Sequence, residues 1–321
     1  MPDFIFAAGA IAGGFALLIF GADYLVRGAS SLAKKLGLSP LFIGLTIVAF
    51  GTSLPEMVVN IFASFRGSNE IAIGNILGSN IFNLFFILGI AAVIYPVAVR
   101  KSTIFKEIPF SILAVAVFFI LANDVMLSGL NQAMVTRADG LILISFFIIF
   151  LYYTFGIAKS SGEMSDEVKT YGILSSVLMI FGGFGGLVFG GNILVSGAIS
   201  LAKILGASES LIGLTIVAIG TSLPELATSA VAAYRKNSDI AVGNVIGSNI
   251  FNIFWILGLS SVIKPIVFFP AANIDTYILL VGTLIVFPYL YMGRKHVLER
   301  WQGASLIGMY IVYVVYLIIR G

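Results

Sequence analysis

Residues 43–56 read IGLTIVAFGTSLPE and residues 212–225 read IGLTIVAIGTSLPE, differing only at Phe50 and Ile219. The offset that superimposes them, the spacing from Glu56 to Glu225, also sets IAIGNILGSNIFN (71–83) on IAVGNVIGSNIFN (240–252) and GASSLAKKLG (28–37) on GAISLAKILG (197–206). Three blocks agreeing at one offset mark an internal duplication, and a duplication must be recognised before any single motif is interpreted.

The duplicated blocks sit in a strongly apolar chain. Of its 321 residues, 59% are hydrophobic and 10% charged, with a mean hydropathy of +1.08, whereas soluble domains carry roughly 25% charged residues. Apolar runs long enough to cross a hydrocarbon layer of roughly 30 Å as helices recur near 4–26, 40–65, 71–96, 106–123, 139–157, 171–196, 208–233, 240–263, 275–293 and 302–320. They lack the short alternating segments of a β-barrel. The expected fold is therefore an all-α integral membrane protein of ten transmembrane helices. The first run begins at Phe4 with no basic residue ahead of it and no convincing cleavage site, so it reads as a retained span and not a signal peptide. The chain has no cysteine, which excludes disulfides and thiolate metal sites.

Five spans per half is an odd number, so the second half enters the membrane from the opposite side and the repeats are inverted. The basic residues set the orientation. Only Arg66, Arg137, Lys203, Lys264 and Arg320 fall on the side of the N-terminus; the other Lys and Arg lie opposite. The positive-inside bias then places both termini outside and the polar joint KSSGEMSDEVK (159–169) in the cytoplasm, as a solvated linker. The organisation expected is a first five-helix repeat over 1–158, a linker over 159–170 and a second, inverted repeat over 171–321, in the cell (inner) membrane.

Inverted repeats with helices interrupted at equivalent Gly and Pro positions point to a transporter whose site lies near the midplane. Pro55 has no N–H and its ring clashes with the carbonyl of Gly51, while Leu54 is pushed away from helical geometry; Pro224 does the same for Gly220. The helices are expected to break at GTSLPE, freeing carbonyls near Gly51, Thr52 and Thr221. An ionised glutamate at this depth costs several kcal/mol unless partnered, and neither block contains Lys or Arg. The partner is then a proton or a bound cation.

Ser79 and Asn83 are four apart, as are Ser248 and Asn252, so each pair shares a helix face. Gly74 with Gly78, and Gly243 with Gly247, allow close helix approach. Pooled, the halves offer the carboxylates Glu56 and Glu225, the hydroxyls Thr52, Ser53, Ser79, Thr221, Ser222 and Ser248, the amides Asn83 and Asn252, and freed carbonyls. All are oxygen donors with no His or Cys among them. That set suits Ca²⁺ or Na⁺ and not Zn²⁺ or copper. Taken singly, the Ser, Thr and Gly residues also fit plain helix packing; the glutamates do not. Asn60, a turn past Glu56 and replaced by Ser229 in the other copy, is a candidate for tuning Glu56. Asp23, Asp124 and Asp139 read as interfacial, Glu70 and Asp239 as solvated caps, His296 as inert, and Trp255 and Trp301 as packing or anchoring residues.

At these motifs the chain resembles the sodium/calcium exchanger (calcium/cation antiporter) superfamily, its prokaryotic members in particular, over nearly its entire length. The resemblance implies ten helices, four of them holding ions at the centre, with two long tilted helices sliding across them. It implies Glu56 and Glu225 as principal Ca²⁺ ligands. Na⁺ sites would flank them, formed by Thr52, Ser53, Ser79, Thr221, Ser222 and Ser248 with carbonyls around Ala49 and Ala218; Asn83 falls where the first repeat has a polar ligand. One position departs: the archaeal pattern has an aspartate where this chain has Asn252, which leaves Na⁺, H⁺ or another monovalent cation open as the coupling ion. The expected activity is antiport of Ca²⁺ against Na⁺ by alternating access. A proton-coupled Ca²⁺/cation antiporter is the alternative, with a passive cation channel ranked below it. An intramembrane hydrolase using the two glutamates is ranked lowest, for want of a nucleophile. No enzyme activity and no cofactor are expected. The expected partners are inorganic cations and the lipid bilayer, with no nucleic acid and no obligate protein partner.

Overall fold

A computed structural model describes residues 2–123, 133–158, 169–204 and 218–320. The described residues are predominantly helical, with four two-residue strands among them. We number the helices α1 (Pro2–Leu36), α2 (Pro40–Thr52), α3 (Leu54–Arg66), α4 (Asn69–Ile94), α5 (Lys101–Ala122), α6 (Arg137–Ile157), α7 (Ile173–Ile204), α8 (Leu223–Tyr234), α9 (Ser238–Ile263), α10 (Ala272–Tyr289) and α11 (Arg300–Arg320). Among the described residues, 8 helices are long and apolar enough to cross a membrane, or up to 9 if α2 and α3 form one bent span. The tenth expected run, 208–233, lies partly outside the described residues, as do the linker residues 159–168 and Asp124.

Local sequence explains where several helices begin and end. Pro40 opens α2, and Ser39 accepts a hydrogen bond from the Phe42 N–H at 3.1 Å, so the first turn is capped without needing the N–H that proline lacks. Thr136 and Asp139 form a reciprocal capping box at the start of α6; Asp139, read from sequence as interfacial, has this structural role. Gly67, at φ 75°, ends α3 in the left-handed conformation.

Burial sorts the helices into layers. The most apolar stretches of α4 and α9 are 78% and 89% buried, against 22% to 39% for the other six spanning candidates. These two duplicated helices form the centre. The outer helices turn large apolar side chains such as Phe6, Phe181 and Tyr152 outward, as a surface solvated by lipid tails requires. The halves are also joined at both ends of the bundle: β1 (Val97–Ala98) pairs with β4 (Val297–Leu298), and β2 (Met134–Val135) with β3 (Ile266–Val267), both antiparallel. Arg100, immediately before α5, pairs with Asp239 on α9 through a two-pronged contact, and Asp23 on α1 pairs with Arg27 and Arg235. Asp239 is therefore not the solvated cap expected, because the fold brings a guanidinium from the other half onto it.

Helices α1 and α7 pack against each other nearly backbone to backbone. A Cβ placed on Gly183 would lie 2.7 Å from the Gly21 carbonyl oxygen, and one on Gly21 would lie 2.8 Å from the Leu187 nitrogen. At 35 residues α1 is about 50 Å long, more than a perpendicular crossing of the hydrocarbon layer needs. We expect Gly183→Ala to lower the thermal stability of the detergent-solubilised protein, with a cost of about 1–3 kcal/mol from overpacking. Gly182→Ala, whose Cβ meets nothing within 4 Å, should leave the melting temperature of a dye-based thermal shift assay unchanged.

Candidate cation site

The GTSLPE segments are shaped by the same local conflict. Thr52 ends α2, Ser53 sits at φ −82°, ψ 6°, and α3 starts at Leu54 with its axis turned by 47°. In the other copy a turn at Ala218–Gly220 precedes Ser222, at φ −90°, ψ 7°, and α8 starts at Leu223. Proline at the start of each new helix cannot bond back to the glycine four residues earlier. A Cβ at Gly51 would lie 1.9 Å from the ring of Phe184 on α7, so any side chain there would require that ring to move.

The turns aim the chain so that each copy serves the other. Glu56 and Glu225 are 1% and 0% exposed. Ser222 Oγ donates to Glu56 Oε1 at 2.8 Å, and Ser53 Oγ donates to Glu225 Oε1 at 2.9 Å. The serines of the central helices come from the same copy as the acid they reach: Ser79 Oγ lies 3.4 Å from Glu56 Oε1 and Ser248 Oγ lies 3.5 Å from Glu225 Oε1. Thr52 Oγ1 is 3.1 Å from Asn244 Oδ1, and the half-buried Thr221 donates to Asn75 Oδ1 at 3.4 Å. The Ala49 carbonyl accepts from the Ser53 N–H at 3.0 Å and faces Thr52 Oγ1 at 3.3 Å. Ala218 opens its short turn directly after the segment 205–217, which lies outside the described residues.

Asn83 and Asn252 lie one turn beyond Ser79 and Ser248, where the central helices widen into π-helical segments, Phe82–Ile87 and Phe251–Leu257. Wider turns of this kind recur at functional sites. Gly243 and Gly247 bring α9 against α2, with a Cβ on Gly247 falling 2.7 Å from Ala49 Cβ. Gly74 and Gly78, their counterparts in α4, meet no described atom within that range.

Four oxygen atoms in this region are buried and accept no hydrogen bond from the described residues: Glu56 Oε2, Glu225 Oε2, Asn83 Oδ1 and Asn252 Oδ1. Buried acceptors are nearly always satisfied, so a set of four on the duplicated motifs calls for a partner from outside the described residues: a cation, water, or a proton on a carboxylate. Other buried or half-buried carboxylates of the fold have one from protein: Asp275 faces Arg320, and Asp239 faces Arg100. Glu107, away from the duplicated motifs, takes a hydrogen bond from Tyr153 on Oε1, and its Oε2 is also without a partner among the described residues. The donors gathered here are carboxylate, hydroxyl and amide oxygens, which suit a hard cation and not a transition metal.

The sequence profile of the sodium/calcium exchanger protein family matches residues 6–156 and 175–319. The chain belongs to this family. As an exchanger-family protein it is a multi-pass membrane antiporter of cations including Ca²⁺. It is 35% identical to the inner membrane protein YrbG of Escherichia coli, over 94% of this chain and 93% of that one. It is 33% identical to the sodium/calcium exchanger MaX1 of Methanosarcina acetivorans, over 95% and 96%. The structure of the sodium-calcium exchanger NCX_Mj soaked with 10 mM Na⁺ and zero Ca²⁺ superimposes with a TM-score of 0.83 at 31% identity, covering 97% of this chain and 99% of that one.

Sequence reasoning singled out the carboxylates and hydroxyls but not the asparagines that brace them. Asn75 Nδ2 donates to the Glu56 carbonyl at 3.2 Å and to Asn60 Oδ1 at 2.7 Å. Asn244 Nδ2 donates to the Glu225 carbonyl at 3.3 Å and to Ser229 Oγ at 2.9 Å. Asn60 therefore acts on Asn75 and makes no hydrogen bond to the Glu56 carboxylate. The available signal was that Asn75 and Asn244 recur at the duplication offset inside the quoted GN-x-x-GSN blocks. Replacing Asn244 by Leu removes a donor from the Glu225 carbonyl and from Ser229 and an acceptor from Thr52, and should destabilise the protein by about 1–3 kcal/mol. Thermal unfolding of the variant beside an exposed-surface control checks this.

Proposed function

We propose that this exchanger-family protein exchanges Ca²⁺ for Na⁺ by alternating access, with Glu56 and Glu225 as the principal Ca²⁺ ligands. The observation that carries the reading is the set of buried, unpartnered oxygens on Glu56, Glu225, Asn83 and Asn252. Two carboxylates balance one Ca²⁺ or two Na⁺. With no cation bound, a doubly anionic site in a low-dielectric interior is too costly to carry between the two faces of the membrane. The loaded site, neutralised, is free to move. Transport in one direction then requires a cation to return in the other, which is exchange.

Ser53, Ser222, Ser79 and Ser248 hold one oxygen of each carboxylate, leaving the second for the ion. Thr52 and Thr221, with the carbonyls at Ala49 and Ala218, are proposed to complete flanking Na⁺ positions. The architecture we propose has ten spans in two inverted five-helix repeats, 1–158 and 171–321, joined by a cytoplasmic linker at 159–170, with both termini outside the cell membrane. The crossed serine–glutamate bonds and the crosswise strand pairs support it. The likeness to a relative named as an inner membrane protein supports the location.

Purified protein in liposomes loaded with Na⁺ should accumulate ⁴⁵Ca²⁺, and vesicles loaded with K⁺ or choline should not. Glu56→Gln and Glu225→Gln should each abolish uptake. Uptake driven by a pH gradient and indifferent to Na⁺ would replace Na⁺ by H⁺ as the coupling ion. Full uptake by Glu56→Gln would overturn the ligand assignment.

A further inference from the structure

Resting on the antiport reading, we propose that Asn80 and Asn249 are positioning residues: each locks the side-chain amide of the ligand asparagine from the opposite copy, so that Oδ1 and not Nδ2 faces the cation. A carboxamide presents an acceptor and a donor of nearly the same shape. A free Asn83 or Asn252 would offer a cation either a ligand or a repulsive NH₂ group.

The structure removes that choice through a chain of bonds anchored on backbone. Asn80 Nδ2 donates to the Asn249 carbonyl at 3.2 Å, and Asn249 Nδ2 donates to the Asn80 carbonyl at 3.3 Å. A backbone carbonyl only accepts, so the orientation of these two amides is forced, and each has its Oδ1 left to accept in turn. Asn252 Nδ2 donates to Asn80 Oδ1 at 2.9 Å, and Asn83 Nδ2 donates to Asn249 Oδ1 at 3.0 Å. The oxygens left over on Asn83 and Asn252 are two of the four without a hydrogen bond. All four asparagines are at most 3% exposed, so water does not compete for these contacts.

The coupling runs across the duplication and not along the helix. Asn80 and Asn83 are neighbours on α4, yet Asn80 serves Asn252 and Asn249 serves Asn83. The same contact dictates what position 252 can be. An ionised carboxylate there would set its charge against Asn80 Oδ1, an acceptor, whereas an amide fits as it stands.

The test is a double-mutant cycle on ⁴⁵Ca²⁺ binding to the full chain in nanodiscs. Asn80→Ala should weaken binding about tenfold, as loss of a group orienting a metal ligand does. In an Asn252→Ala background the same change should cost less than about twofold, while in an Asn83→Ala background it should retain its full effect. A merely structural role for Asn80 would not produce this crossed pattern. An equal effect of Asn80→Ala in all backgrounds, or coupling to Asn83 alone, would overturn the proposal. The mirror cycle of Asn249→Ala with Asn83→Ala decides the matter if Asn80→Ala fails to fold. Absence of Ca²⁺ binding in the wild type would instead overturn the antiport reading beneath it; wild-type binding without crossed coupling would sink this proposal alone.

Discussion

Two carboxylates held in an apolar interior, each with one oxygen bound and one left over, are the constraint around which this protein is built. Among the described residues no basic group pairs with Glu56 or Glu225, although the fold supplies arginines to Asp23, Asp239 and Asp275. Protein groups satisfy Oε1 of each acid and none of the described ones satisfies Oε2. Burial of this kind is costly, and the cation proposed for this site would offset the cost.

Holding that arrangement takes both copies of the motif. Ser53 bonds the glutamate of the second copy at 2.9 Å and Ser222 that of the first at 2.8 Å, closer than the same-copy Ser248 and Ser79 at 3.5 and 3.4 Å, so each carboxylate is held from both halves. Thr52 and Thr221 reach Asn244 and Asn75 in the same crossed sense, and the Asn80–Asn249 pair ties the central helices α4 and α9 together. The proline-induced turns make this possible by stopping a helix at the depth where the serine must point across. Around this centre, α1 and α7 pack through glycine with almost no side chain between them, and the outermost surfaces are apolar.

Much of this was legible in the sequence because its causes are local or repetitive. Hydropathy marked the spans, since a bilayer admits only long apolar helices. Duplication marked Glu56 and Glu225, since an acid is tolerated at that depth only for a reason. Asp139 and Asp239 were read too simply. The first caps its own helix, which a closer look at the Thr-x-x-Asp spacing would have found. The second pairs with Arg100, far away in the chain, and nothing local announces such a contact.

The sequence by itself determined an all-helical membrane chain, its internal duplication, the oxygen-only donor set and the two buried acids, because composition, periodicity and the chemistry of proline act over a few residues. Only the tertiary structure decided that Ser53 and Ser222 each serve the opposite glutamate, that Asn75 and Asn244 brace the acid backbones, and that four particular oxygens are left without a hydrogen bond. Those facts depend on which side chains meet across the interface of the two halves, and identical motifs allow pairing within a copy as readily as between copies until packing selects one.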